Sequence, residues 1–179
     1  MKQRETVNRS SVLSILFRER RRSRIVRTLT ERDRLGSQVF DRIVNAAASS
    51  FGAPIAAVSL IHGNRHSIEA GYGIPTICIP RAEGFCNFTL DGSGVLECID
   101  PQSDPRFATL PGVLGEPYAR YYIGAPLRLL NGLDVGALCV IDIVQRKPAS
   151  DDQKAYLLGL ARQAAVTLES RLDLLGRAA

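Results

Sequence analysis

Gly84-Phe85-Cys86, Asp104-Pro105-Arg106-Phe107, Tyr122-Ile123-Gly124-Ala125-Pro126-Leu127 and Gly136-Ala137-Leu138-Cys139-Val140-Ile141-Asp142 follow one another across residues 84–142. The last two are apolar runs joined through Asn131-Gly132-Leu133-Asp134, a hairpin signal, and they predict strands over 121–130 and 135–143. Working backward, Gly63-Asn64 marks a second hairpin between strands over 55–61 and 65–70. A short helix is expected over 83–90 and a third strand over 95–99, with 74–83 a loop. Residues 100–117, rich in Asp, Pro and Gly, form a long connection of the kind that often lines a binding site.

The flanks of this region are helical. Val39, Phe40, Ile43, Val44 and Ala47 recur at helical spacing over 35–50, and Phe51-Gly52-Ala53-Pro54 ends the pattern. Ser150 caps a last helix, with Asp151 and Asp152 in its first turn and Gln153 at the capping-box position. Its apolar face, Leu157, Leu160, Ala161, Ala164, Ala165, Leu168 and Leu172, is broader than one sheet face needs. That surplus predicts a homodimer built on the helices near 36–50 and 150–174. Consecutive hairpins between helices give an α+β fold, a central antiparallel sheet with the N- and C-terminal helices packed together on one face.

The chain has 179 residues, 45% of them hydrophobic and 23% charged, an ordinary globular composition sufficient for one domain. The net charge of +5 is unevenly placed. Residues 1–34 hold eleven Lys or Arg against four Asp or Glu, so the rest of the chain is slightly acidic. The expected organisation is a basic, partly disordered arm over 1–34, a domain over 35–175 and a tail over 176–179. A near-neutral body gives no case for nucleic acid. Within the arm, apolar Leu13, Ile15, Leu16, Phe17, Ile25, Val26 and Leu29 alternate with arginines. This reads either as a basic helix formed against a contact or as a solvated segment, in both cases dispensable for folding.

The four cysteines, Cys78, Cys86, Cys98 and Cys139, form no CxxC pair, and His62 and His66 are the two histidines, poor material for a metal site. No secretory signal is evident, and the compartment expected is cytoplasmic with reduced thiols. Residues 43–64 carry no Asp, Glu, Lys or Arg, but Gly52 and Pro54 interrupt them, so helix, turn and strand is the reading rather than a membrane span.

Together with Phe51-Gly52-Ala53-Pro54, the motifs over 84–142 resemble those of GAF domains, the sensory modules of bacterial sensor kinases and diguanylate cyclases. The resemblance spans about residues 39–172. It implies a ligand held between the sheet and the helix and loop that follow the second strand, and a dimer bundle of the first and last helices. Carried across, the pocket is lined by Phe85, Cys86 and Phe88, by Phe107 from the loop, and by Tyr122 and Cys139 from the sheet. The chain departs from many relatives in one place. Phe85-Cys86-Asn87-Phe88 stands where they have Phe-Cys-Ala-His, which removes a histidine from the expected pocket.

Several residues admit a sharper and a plainer reading. Cys86, at the start of a short helix, could be a thiolate activated by backbone N–H groups, or a small buried apolar residue. Arg106 could meet a charged ligand, or pair with an acid while Asp104 and Pro105 start a turn and Phe107 plugs the core. Asp142 reads as a turn or ion-pair residue rather than a catalytic acid. Neither histidine adjoins a cysteine in sequence, which speaks against a bilin chromophore. The function expected is a non-enzymatic sensory protein that binds a small molecule of unknown identity, or a signalling partner that receives its output. The sequence names no cofactor. The alternative is a thiol redox sensor, or an enzyme resembling the reductases of free methionine sulfoxide, centred on Cys86.

Overall fold

The computed structural model describes residues 9–30 and 37–177. Its elements in chain order are α1 (Arg9–Thr30), α2 (Ser37–Phe51), β1 (Ile55–His62), β2 (Arg65–Tyr72), β3 (Cys78–Pro80), 3-10 turns at Arg81–Glu83 and Phe85–Thr89, β4 (Leu96–Cys98), α3 (Pro111–Leu114), β5 (Tyr121–Arg128), β6 (Asp134–Asp142) and α4 (Asp151–Arg177). The six strands form one sheet in the order β3-β2-β1-β6-β5-β4, and every neighbouring pair is antiparallel. This is the expected α+β arrangement.

The central strands β1 and β6 are buried along their whole length, because both faces of the sheet are covered. On one face Ala56, Val58 and Leu60 meet Phe40, Val44 and Ala47 of α2 and Leu157, Ala161, Ala164 and Leu168 of α4 in one core. On the other face Ile55, Ala57, Ile61, Cys139 and Ile141 meet the 3-10 turn Phe85–Thr89 and the long connection through Phe107, Leu110 and Val113. The second core holds the candidate site.

Local signals account for the element ends. The Ala53 N–H bonds the Ala48 carbonyl and Gly52 adopts a left-handed φ of 55°, the helix stop expected at Phe51-Gly52-Ala53-Pro54. The capping box at α4 is formed: Gln153 N–H donates to Ser150 Oγ at 3.2 Å and Ser150 N–H to Gln153 Oε1 at 3.1 Å. Asp142 is the turn and ion-pair residue expected. Its carboxylate accepts from the Ile143 N–H at 2.7 Å and from Arg146 Nε at 2.6 Å. Glu97 of β4 ties sheet to helix by accepting from Tyr121 Oη at 2.9 Å, the Ala149 N–H at 2.6 Å and Lys154 Nζ at 2.8 Å.

Four expectations change. The loop expected over 74–83 contains β3, a three-residue edge strand ending in Pro80, and proline is tolerated there because an edge strand has a free side. The short helix expected over 83–90 is a 3-10 turn of five residues, and it supplies no extended row of N–H groups. The surplus apolar face of α4 is used within the chain: Leu157, Leu160, Ala161, Ala164, Ala165 and Leu168 are all buried against the sheet, α1 and α2. What the helices leave exposed is Val39 on α2 and Tyr156, Val166 and Leu174 on α4. The α4 helix also runs to Arg177, into the residues expected as a tail.

Residues 1–8 and 31–34 of the expected arm lie outside the described residues. The arm's described part is a 22-residue helix whose C-terminal half docks on the domain. Val26 and Leu29 join the helix-side core. Arg22 is 2% exposed; its Nε donates to the Asp134 carbonyl at 2.7 Å, its Nη1 to Glu19 at 2.6 Å and its Nη2 to Asp91 at 2.7 Å. Glu19 in turn accepts from the Gly63 N–H at 2.9 Å and pairs with Arg81 at 2.9 Å. The N-terminal half of α1 projects beyond this anchor and leaves Leu13, Ile15, Leu16 and Phe17 exposed.

Candidate functional site

The core beneath the long connection is built on stacked rings. Phe85 lies 5.4 Å from Tyr122 and 5.7 Å from Phe107, and Phe88 lies 4.9 Å from Phe107, all centroid to centroid. Such separations are those of favourable aromatic pairs. Tyr122 and Phe107 are fully buried. The Tyr122 hydroxyl is satisfied by Thr89 Oγ1 at 2.6 Å, so this polar atom is not left free for a ligand. Gly124 makes that pair possible, since a side chain there would collide with both oxygens.

Beside this plug, between the sheet and the turn 84–86, is a cavity of about 200 Å³. Its walls are apolar, with Ile55, Ala57, Ile68, Ile74 and Ile141 from the strand side and Phe85, Pro111 and Pro117 opposite. Its polar groups are Ser59, His66, Cys86 and Cys139, with Glu83 and Glu116 also on its wall; no Lys or Arg lines it. Of the residues expected at a site, Phe85, Cys86 and Cys139 line this cavity. Phe88, Phe107 and Tyr122 belong to the ring cluster behind it. Arg106 lies outside: its guanidinium holds Asp104 at 2.6 Å and sits 5.1 Å from the Phe107 ring centroid, the plainer of its two readings.

His66 is the residue that the sequence reading missed. It is 4% exposed, and neither ring nitrogen has a hydrogen-bond partner. A buried imidazole with two unpaired nitrogens is costly unless something else supplies the bonds. The signal was its register: His66 and Ile68 are two apart on β2, hence on one face, and both are buried. The histidine absent from the Phe85-Cys86-Asn87-Phe88 turn is thus matched by one arriving from the sheet.

The sulfur chemistry follows from neighbours rather than from a helix end. The hydrogen bond from the Cys139 thiol holds Cys86 well below the ordinary thiol range; burial opposes this, and the His66 ring acts in the same direction as Cys139. Cys139 is pushed up, first by its bond to Cys86 and then by burial. The Cys86 thiol reaches Ser59 Oγ at 3.9 Å. Cys98 stands apart beside Asp104, at 3.6 Å, and burial pushes it up to about 11. Among the described residues no group of three or more His, Cys, Asp and Glu could hold a metal ion, and no helix is long and apolar enough to cross a membrane.

The resemblance implies a pocket between the sheet and the helix and loop that follow the second strand, and the cavity lies between the sheet and the 3-10 turns that come after β2 and β3. Residues 36–168 match the family described as GAF domain. The chain belongs to the GAF domain family. This is a family of sensory domains, and the chain is similar to one curated signalling protein in particular. It is 42% identical over 125 residues to a cyclic di-GMP phosphodiesterase of Pseudomonas aeruginosa, a match covering 70% of this chain and 21% of that protein. The chain therefore spans about a fifth of that relative's length. Among solved structures, this GAF domain is similar to a domain of a putative two-component sensor histidine kinase from Sinorhizobium meliloti, with a TM-score of 0.63 and 13% identity over 80% of this chain and 97% of that one. It is also similar to the GAF domain of an Acinetobacter phosphoenolpyruvate-protein phosphotransferase, with a TM-score of 0.62 and 17% identity over 89% of this chain and 95% of that one. At such identities these two likenesses speak for the fold alone.

Proposed function

We propose that this GAF domain is a non-enzymatic sensor that takes one small, largely apolar molecule into the cavity beside His66. The observation that carries the reading is the pairing of an apolar cavity of about 200 Å³ with a buried imidazole whose two nitrogens have no partner. A cavity of about 150 Å³ suffices for a benzene ring, so this one suits a single ring with a polar substituent for His66. With Glu83 and Glu116 on its wall and no cation, the cavity favours a neutral or cationic ligand over a phosphate. A cyclic dinucleotide is several times too large for it. The similarity to a cyclic di-GMP phosphodiesterase supports a role as sensory input to such signalling, with the dinucleotide handled elsewhere. Dimerisation belongs to the same reading, through the exposed apolar residues Leu16 and Phe17 of α1 and Val166 and Leu174 of α4.

The test is native mass spectrometry of freshly purified protein beside its Ala57→Leu variant, which fills the cavity from β1. A bound small molecule in the wild type and none in the variant is expected. A ligand retained by the variant, or none in either protein, counts against the reading.

A second reading rests on the contact between Cys86 and Cys139. In a thiol sensor, the Cys86 thiolate would attack a peroxide oxygen, giving a sulfenic acid and releasing hydroxide. The Cys139 sulfur would then attack the Cys86 sulfur, forming a disulfide and releasing water. Both cysteines are 2% exposed and line the cavity, so an oxidant would reach them by the route that the ligand of the first reading takes.

A further inference from the structure

A second and larger concavity opens on the helix side of the sheet. Its volume is about 560 Å³, and it lies where α1 ends, where β2 emerges from cover and where α4 passes. Three guanidinium groups from three different elements line it: Arg27 of α1, Arg65 of β2 and Arg171 of α4. Thr30, Ser67 and Thr76 also line it, the Thr30 hydroxyl donating to the Val26 carbonyl at 3.0 Å.

Among the described residues the charge is only partly compensated. Glu69 also lines the concavity, and its carboxylate acts on Arg171. Among the described residues neither Arg27 nor Arg65 forms a salt bridge. Arg171 is held in place by stacking, 5.2 Å from the Phe40 ring centroid, and its buried Nε has no hydrogen-bond partner. His62 lines the same concavity, and its buried ring is disfavoured as a cation, first by burial and then by the charges of Arg27 and Arg65.

Guanidinium forks and hydroxyls converging on a concave site are the chemistry that recognises phosphate oxygens. We propose that this groove binds a soluble small molecule carrying phosphate groups, at a site separate from the cavity beside His66. Convergence from three elements fits a compact ligand of nucleotide size better than a polymer or a flat surface. The outward face of α1 makes the contrast. There Arg20 and Arg24 line a groove formed by that helix alone, together with Glu19, and Arg27 borders both grooves.

The experiment is an NMR and calorimetric titration with inorganic pyrophosphate at low salt. It uses the wild type and the Arg27→Gln, Arg65→Gln and Arg20→Gln variants, each checked for an unchanged unfolding midpoint. Saturable binding is expected, with amide shifts centred on Thr30, Ser67 and Thr76. Loss of one charged hydrogen-bonding group should weaken binding about tenfold in Arg27→Gln and in Arg65→Gln. Arg20→Gln should stay close to the wild type. A parallel arm uses phosphatidylcholine vesicles with and without phosphatidic acid. Absence of saturation, equal weakening by Arg20→Gln, or retention on phosphatidic acid vesicles without pyrophosphate binding would each overturn the proposal.

Discussion

Gly84 leaves room for His66: a Cβ on Gly84 would overlap the histidine's Nδ1 and the neighbouring ring carbons. The glycine has an ordinary extended φ of −97°, so space and not backbone conformation is what requires it. The 3-10 turn that carries Cys86 can therefore lie directly on β2. One wall of the cavity depends on this single contact.

Gly84→Ala should accordingly cost about 1–3 kcal/mol, the usual range for an overpacked core, as His66 or the turn gives way. Urea unfolding reads the cost. Loss of small-molecule binding in a protein that still unfolds cooperatively would localise the damage to this wall. An unchanged midpoint would show that the turn does not press on His66.

The anchor of α1 supports a different expectation from the one drawn from the arm's composition. Arg22 has its guanidinium shared among the Asp134 carbonyl, Glu19 and Asp91, and Val26 and Leu29 are buried beside it. Removing residues 1–34 should lower stability by about 2–4 kcal/mol, since each apolar side chain contributes roughly 1.5–3 kcal/mol and such area-based sums are upper bounds. Arg22→Ala alone should cost about 1–3 kcal/mol, because it leaves the Asp134 carbonyl without its donor and removes one of the partners of Glu19 and of Asp91, which keep Arg81 and Arg18. Denaturant midpoints for the truncated protein and for Arg22→Ala provide the measurement. A truncated protein as stable as the full chain would mean the helix rests on the domain without supporting it.

The strands, their hairpins and both main helices of the domain were legible because each rests on local signals: alternation and apolar runs, Gly63-Asn64, Asn131-Gly132, and the Ser150 and Gln153 pair. The misses were of two physical kinds. The edge strand Cys78–Pro80 is too short and too proline-rich to show a period, and it exists only because β2 is there to pair with. Arg22 and His66 are polar residues whose burial is decided by distant partners: an Asp134 carbonyl 112 residues away for one, a side-chain-free Gly84 for the other. Of the residues expected to line a site, Phe85, Cys86 and Cys139 line the cavity. Phe107 and Tyr122, which the resemblance assigns to the lining, are packed in the ring cluster instead, and His66 of β2 lines the cavity.

Asp104 gives a pH test of the long connection. The hydrogen bond from Arg106 takes its pKa down to about 2 from an ordinary 3.8, with burial opposing. A carboxyl depressed in the folded state adds stability above its unfolded value, and that stability is lost as pH falls through the folded one. The loss should therefore fall between about pH 4 and pH 2. Arg106 is half exposed, so solvent screening limits the effect to about 1 kcal/mol or less. Carbon NMR should place the Asp104 midpoint near 2 in the wild type and close to the ordinary 3.8 in Arg106→Gln. Equal midpoints in the two proteins would remove the pair as the cause.

The thiols separate the two functional readings. Cys78 is exposed, whereas Cys86, Cys98 and Cys139 are buried. If the cavity is a plain binding site, a disulfide reagent in native buffer should titrate one thiol quickly, and Cys78→Ser should abolish that fast phase. Cys98 should lag even at high pH, since its pKa stands at about 11. Cys86 should also lag despite its lowered pKa, because a thiolate must be reached to react. Dilute peroxide should then produce no Cys86–Cys139 disulfide, and Cys86→Ser should fold with a cost of roughly 1–3 kcal/mol for the buried hydroxyl. Fast alkylation of Cys86 at pH 6 in the Cys78→Ser background, together with a peroxide-dependent disulfide lost in Cys139→Ser, would reverse the choice. The cavity would then be the oxidant's path to Cys86, and His66 the base beside the reacting sulfur.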